Sequence, residues 1–181
     1  MRIRKERCCA LVIDVQERLL PVMDTANRVE ANVLKLVKGL QILGLPILVS
    51  EQYPKGLGHT VDSVKEVLAG RETLVEKVAF SCCEEPTFFS ALSKLGKKTV
   101  ILCGIEAHIC VLQTVLDLEE NGFLPVVVED CIASRNPNDK AVALERMRKT
   151  GAVITTLESI LFELTGAAGT DQFKLISKLI K

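Results

Sequence analysis

Short β-branched runs alternate along the whole chain with stretches whose apolar residues recur every three or four positions. The first kind of run suits strands and the second amphipathic helices, so the alternation predicts βαβ units around a parallel sheet. The strand candidates are Cys8 to Ile13, Pro46 to Ser50, Thr73 to Glu76, Thr99 to Cys103, Pro125 to Glu129 and Ala152 to Thr155. Between the first two, Val29, Val33, Leu36, Val37, Leu40 and Leu43 fall at helical spacing, with Asp24 or Thr25 as N-cap and Gly44 at the stop. A second helix opens at Pro86 and closes at Gly96, and a third runs from Val111 to Glu120 before Gly122. A fourth, capped by Asn138, reaches Thr150 and stops at Gly151, while Thr156 and Thr170 begin two shorter terminal helices. Glu51 to Gly70 is the least regular stretch. It is expected to be a loop over the sheet edge, placed to cover a ligand site at the carboxyl ends of the strands.

The 181 residues suit one domain, 1–181, able to bury about 70% of the surface its unfolded form exposes. Tryptophan is absent and aromatics are few, so the core is expected to be aliphatic. Basic and acidic residues balance at 23 each, with no cationic cluster along one face. That excludes the electrostatic footprint of a nucleic-acid binder and points to a small-molecule substrate. The seven cysteines include the neighbours Cys8 and Cys9 and the neighbours Cys82 and Cys83, which are poor disulfide partners within each pair. This is the usage of a reduced, intracellular protein. Met1 to Arg7 is basic but leads straight into a strand, and no apolar run is long enough to span a membrane. A cytoplasmic location is expected, with an organelle such as the mitochondrion left open for a eukaryotic source.

The segment Gly104-Ile-Glu-Ala-His-Ile-Cys110 joins the fourth strand to an apolar helix. Unpaired backbone N–H groups and the positive end of the macrodipole bias a thiol at such a helix start toward thiolate. Asp14 and Lys77 follow the first and third strands directly. Each residue alone has a plainer reading: Cys110 as a small buried hydrophobe, Asp14 as a turn initiator, Lys77 as a solvated charge. Converging on one sheet edge, they make a nucleophile, its base and an orienting cation.

Of the two histidines, His108 lies too close to Cys110 in the same turn to serve as its base, and it is assigned to the pocket wall. His59 has no partner ligand and no Cys-x-x-Cys occurs, so no metal is expected. Gly56 and Gly58 lack the third glycine of a dinucleotide fingerprint, and no cofactor is expected. Cys82, Cys83 and Cys131 read as ordinary buried cysteines, with a resolving-thiol role as the sharper alternative.

Three motifs carry a family resemblance: Ala10-Leu-Val-Ile-Asp14-Val-Gln16, Val75-Glu-Lys77 with Phe80-Ser81, and Gly104-Ile-Glu-Ala-His-Ile-Cys110-Val-Leu-Gln-Thr-Val-Leu-Asp-Leu118. Together, in this order and at these strand ends, they resemble the isochorismatase-like cysteine hydrolase superfamily. Glu51 to Gly58, Gly151 to Ser159 and Gln172 to Lys181 look most like its isochorismatase-domain-containing subgroup. The resemblance implies an α/β fold, a three-layer, doubly wound, six-stranded parallel sheet with helices on both faces. It also implies a triad of Asp14, Lys77 and Cys110, a cis peptide between Ile105 and Glu106, and an oxyanion hole from the Glu106 and Cys110 N–H groups.

Nicotinamidases of this superfamily carry a histidine cluster that this chain lacks, which disfavours nicotinamide as substrate. Cys110 favours C–N bond cleavage over the vinyl-ether chemistry of true isochorismatases. Gln16, Leu19, Tyr53, Phe80 and His108 are the pocket candidates, with core packing an equal reading for Leu19 and Phe80. The expected activity is a metal-independent hydrolysis of a small amide or related acyl compound through a Cys110 thioester. A non-catalytic binding or scaffold protein is the alternative. Self-association is also expected from the resemblance, with the apolar face of the last helix, Phe173, Leu175, Ile176, Leu179 and Ile180, either contributing to it or packing on the chain's own sheet.

Overall fold

A computed structural model describes all residues from Met1 to Lys181. Six parallel strands form one sheet: β1 (Cys8–Ile13), β2 (Ile47–Gln52), β3 (Thr73–Lys77), β4 (Thr99–Ile105), β5 (Leu124–Ala133) and β6 (Val153–Thr155). Their order is β3-β2-β1-β4-β5-β6, so the chain winds outward from β1 in one direction and from β4 in the other. The crevice between the carboxyl ends of β1 and β4 is therefore the topological switch point, where doubly wound sheets bind ligands.

Every residue of β1 is buried, and its alternate side chains feed two separate cores. Cys8, Ala10 and Val12 join a core that includes Val33, Leu36 and Leu40 of α1 (Ala26–Ile42) and Ile160 and Leu161 of α7 (Leu157–Thr165). Cys9, Leu11 and Ile13 join a second core with Phe88 of α4 (Pro86–Lys94), Val115 of α5 (Leu112–Glu120) and Met147 of α6 (Pro137–Thr150). Two helical layers thus cover the two faces of the sheet.

The six expected strands are all present, and all six expected helices form near their expected bounds. Glu51 to Gly70 is not a loop. Glu51 and Gln52 extend β2, and the rest contains a short helix α2 (Pro54–Leu57) and α3 (Asp62–Leu68). The four-residue span of α2 and the interrupted pattern before α3 gave too few turns for helical periodicity to register. Asn138 is not the cap of α6; Asn136 is, its side chain accepting the Asn138 N–H at 2.9 Å while Pro137 takes the first helical position. Thr25 stands at the N-cap of α1 without a side-chain cap bond. α5 begins one residue later than expected, because Ala107–Val111 winds as a π-helical turn.

The last helix, α8 (Asp171–Ile180), lies against α1 and α7 rather than on the sheet. Ile176 is fully buried there while Leu175 stays exposed. No helix is long and apolar enough to cross a membrane.

Candidate active site

Asp14 directly follows β1 with φ of 52°, in the left-handed region that Asp tolerates better than most residues. Strict strand alternation would send its side chain to the α1 side with Val12. The turn instead sends it to the α5 side, where Ser50 Oγ donates to Oδ1 at 2.7 Å and Lys77 Nζ to Oδ2 at 2.8 Å. Neither side chain of the Asp14–Lys77 pair is exposed. Lys77 Nζ also donates to Gln52 Oε1 at 2.7 Å, the Phe80 carbonyl at 3.0 Å and, more weakly, the Ala79 carbonyl at 3.4 Å. Burial by itself would lower the lysine pKa, but the Asp14 charge, with Cys82 and Cys110 nearby, turns the net shift upward.

Cys110 sits in the π-helical turn after β4, only 5% exposed, with its thiol near enough to the Asp14 carboxylate for that group to raise its pKa. The Ile105–Glu106 peptide is cis. The Glu106 carbonyl accepts the N–H of Ile109 at 3.1 Å and of Val111 at 3.2 Å, skipping that of Cys110, and the Glu106 N–H donates to no protein group. The turn's longer hydrogen-bond reach thus carries the Glu106 carbonyl past the Cys110 N–H. Gly104, at φ 120°, lets β4 approach β1 closely here, since any β-carbon would collide with the Ile13 carbonyl.

The expected lowering of the Cys110 pKa is not found; the shift is upward. Burial pushes the thiol pKa well up and the Asp14 carboxylate adds to this, outweighing Lys77. A helix start depresses a thiol pKa only where the sulfur also meets solvent or net positive charge, and here it faces a carboxylate.

Two pocket candidates are structural. Gln16 is fully buried, and its amide brackets Gln52, donating to the Gln52 carbonyl at 3.0 Å and accepting the Gln52 N–H at 2.7 Å, with a further bond to the Gly58 carbonyl. Leu19 packs against the α1-side core. Tyr53 and Phe80 are each 53% exposed at the rim. Tyr53 lines a cavity of about 320 Å³ beside Lys77 with Pro54, Lys55, Glu76, Val78 and Glu85. His108 shares a hydrogen bond with Ser134 Oγ at 2.9 Å and stays partly exposed. His59 pairs with Glu51, whose carboxylate also takes the Thr60 N–H and hydroxyl. Those bonds outweigh burial and hold the Glu51 pKa down. No three His, Cys, Asp or Glu side chains stand together as metal ligands would.

Sequence reasoning missed Ser50 and Gln52. Their signal was present: Ser50-Glu51-Gln52 puts three polar residues at the carboxyl end of a buried strand. All seven cysteines are free thiols. Cys82 lies by the site, with its N–H on Thr114 Oγ1 at 3.0 Å one helical turn beyond Cys110, whereas Cys131 belongs to the opposite core.

A doubly wound parallel sheet with a buried carboxylate, lysine and cysteine gathered near its switch point defines an α/β protein of hydrolase type. The chain belongs to the isochorismatase-like hydrolase family: the isochorismatase domain model matches residues 8–159. Isochorismatase domain-containing protein 1 of Salmo salar is 41% identical over 175 residues, 96% of this chain but only 59% of that protein's length. Isochorismatase family protein 1B of Dictyostelium discoideum is 38% identical and is matched over 99% of this chain and 89% of its own length. Among solved structures, a Caenorhabditis elegans protein described as MAR1 ribonuclease superposes with a TM-score of 0.93 at 39% identity, covering 99% of this chain and 92% of that one. YcaC from Pseudomonas aeruginosa, solved with hexane-2,5-diol and covalent acrylamide, gives a TM-score of 0.92 at 25% identity, covering 98% and 91%.

Proposed function

We propose that the protein is a metal-independent cysteine hydrolase of a small amide or related acyl compound, acting through a Cys110 thioester. The observation that carries this reading is the buried Lys77–Asp14 pair at 2.8 Å beside the Cys110 thiol, whose pKa the Asp14 carboxylate raises. Asp14 takes the thiol proton as sulfur attacks the carbonyl carbon, and the Glu106 and Cys110 N–H groups receive the oxyanion. Asp14 returns that proton to the leaving amine. It then takes a proton from the water that attacks the thioester, and that proton passes to the departing sulfur as the acid leaves. Because the thiol pKa lies far above that of a carboxylate, proton transfer and C–S bond formation occur together. Lys77 stays paired with the Asp14 carboxylate between the steps.

The depth of Cys110 favours a small substrate. The YcaC relative with covalent acrylamide shows an amide-bearing electrophile held by a neighbouring fold. The C. elegans relative raises ribonuclease activity, but a site built around acyl attack and a chain of balanced charge give RNA little footing. A scaffold protein that keeps the fold without catalysis remains the competing class.

The test is a screen of small amides and ureas for ammonia or amine release, with an RNA substrate alongside and Cys110→Ala as control. Wild type is expected to turn over at least one amide, with a loss of about 10⁴-fold or more in the variant. Release that persists in the variant would refute the mechanism, and no turnover in any arm would favour the scaffold.

The protein is further proposed to self-associate through the apolar rim beside the site. Val78 is 76% exposed there beside Tyr53 and Phe80, whereas Ile176 of α8 is already buried internally. Sedimentation is expected to show an oligomer that Val78→Asp weakens. An oligomer unmoved by that change would rule out the rim.

A further inference from the structure

Lys77 is a saturated cation. Its ammonium has three protons, and Asp14 Oδ2, Gln52 Oε1 and the Phe80 carbonyl accept them at 2.8, 2.7 and 3.0 Å, with the Ala79 carbonyl at the margin of reach. No proton is left for a substrate. Lys77 therefore acts on the chemistry only through Asp14 and through its field, and that field depends on where the ammonium is pinned.

We propose that Gln52 is a positioning residue that pins the Lys77 ammonium against Asp14. Resting on the Cys110 reading, this assigns the cation's placement to a neutral side chain outside the triad. The residue is itself held on every polar atom. Sheet register sets Gln52 directly beside Lys77 on the neighbouring strand. The Gln52 Nε2 donates to the Val78 carbonyl at 2.6 Å, which leaves Oε1 as the only atom that can face the lysine. Its backbone N–H and carbonyl are both bracketed by the Gln16 amide. An amide that can be oriented only one way presents a fixed acceptor, and a fixed acceptor fixes the donor.

Neutrality matters as much as geometry. A carboxylate at this position would divide the lysine's charge between two anions and leave more negative potential at Cys110, where Asp14, Lys77 and Cys82 are the other charged or titratable groups within range. A side chain with no acceptor would let the ammonium drift from Asp14, with a smaller effect of the same sign.

The test needs no known substrate. The full chain, Gln52→Glu, Gln52→Met and Lys77→Met are treated with iodoacetamide at fixed alkaline pH, and the alkylation of the Cys110 peptide is followed by mass spectrometry. Rates are expected to fall in the order wild type, Gln52→Met, Gln52→Glu, the last by about tenfold, as one unit of thiol pKa implies. Lys77→Met is expected to be slow as well. Loss of fold cannot imitate this, because an unfolded chain exposes its thiol and reacts faster. Unchanged or faster rates in both Gln52 variants with a slow Lys77→Met overturn the proposal and leave the Cys110 reading intact. A purely structural Gln52 would give that result together with a lower Tm. Rates that are unchanged in Lys77→Met too would instead overturn the Cys110 reading itself.

Discussion

Replacing Lys77 by methionine is expected to lower folding stability by about 3–5 kcal/mol, the usual cost of stranding one partner of a buried ion pair. Both side chains of the Lys77–Asp14 pair are fully buried, so water cannot solvate the abandoned carboxylate. Ser50 alone would be left to hold it. Adding Asp14→Asn to Lys77→Met removes the stranded charge, and the double variant is expected to recover much of the loss. Urea denaturation of the two single variants and the double variant measures this directly. A cost below about 1 kcal/mol for Lys77→Met would mean that the pair is solvated and the site is open.

The same pair fixes a pH dependence. The folded-state pKa of Lys77 is raised, so the folded chain holds this proton more tightly than the unfolded chain. Its stabilising contribution is complete below the unfolded lysine value of about 10.4 and fades as pH rises from there through the folded value. The alkaline limb of the wild-type stability curve is therefore expected to be steeper than that of Lys77→Met.

The second prediction runs against the habit of treating the base as the activator of a resting thiolate. Asp14→Asn is expected to speed alkylation of Cys110 by iodoacetamide at pH 8 by about tenfold or more, while hydrolysis is lost. The Asp14 charge raises the thiol pKa, behind only burial in effect and ahead of the opposing Lys77. Asparagine removes the charge and leaves Lys77 unopposed beside the sulfur. Reactivity and catalysis would then separate: the variant has more thiolate but nothing to deliver a proton to the leaving amine. Slower alkylation in Asp14→Asn would show instead that Asp14 ionises Cys110 before substrate arrives, as the sequence alone suggested.

The Cys110 case shows where reading the sequence ends. A cysteine at a strand-to-helix turn is visible in Gly104 to Cys110, and the helix-start argument for a thiolate follows from that local pattern. Protonation, though, is a sum over everything that surrounds the sulfur. The burial and the carboxylate that decide it come from β1, the α5 layer and the sheet between them. Gln16 misled for a similar reason. Its place two residues after Asp14 suggests the pocket, yet its amide is spent on the Gln52 backbone, a partner 36 positions away.

The six strands, the parallel winding and the strand ends at which Asp14, Lys77 and Glu106 to Cys110 stand are legible in the chain's own pattern, because periodicity and caps are properties of neighbours in the chain. Packing between distant segments set the rest: Gln52 and Ser50 complete the site, Asp14 turns against its strand's alternation, and burial with the Asp14 carboxylate raises the thiol pKa. Register across strands, side-chain direction at a left-handed residue and desolvation all depend on groups far apart in sequence, which no local pattern records.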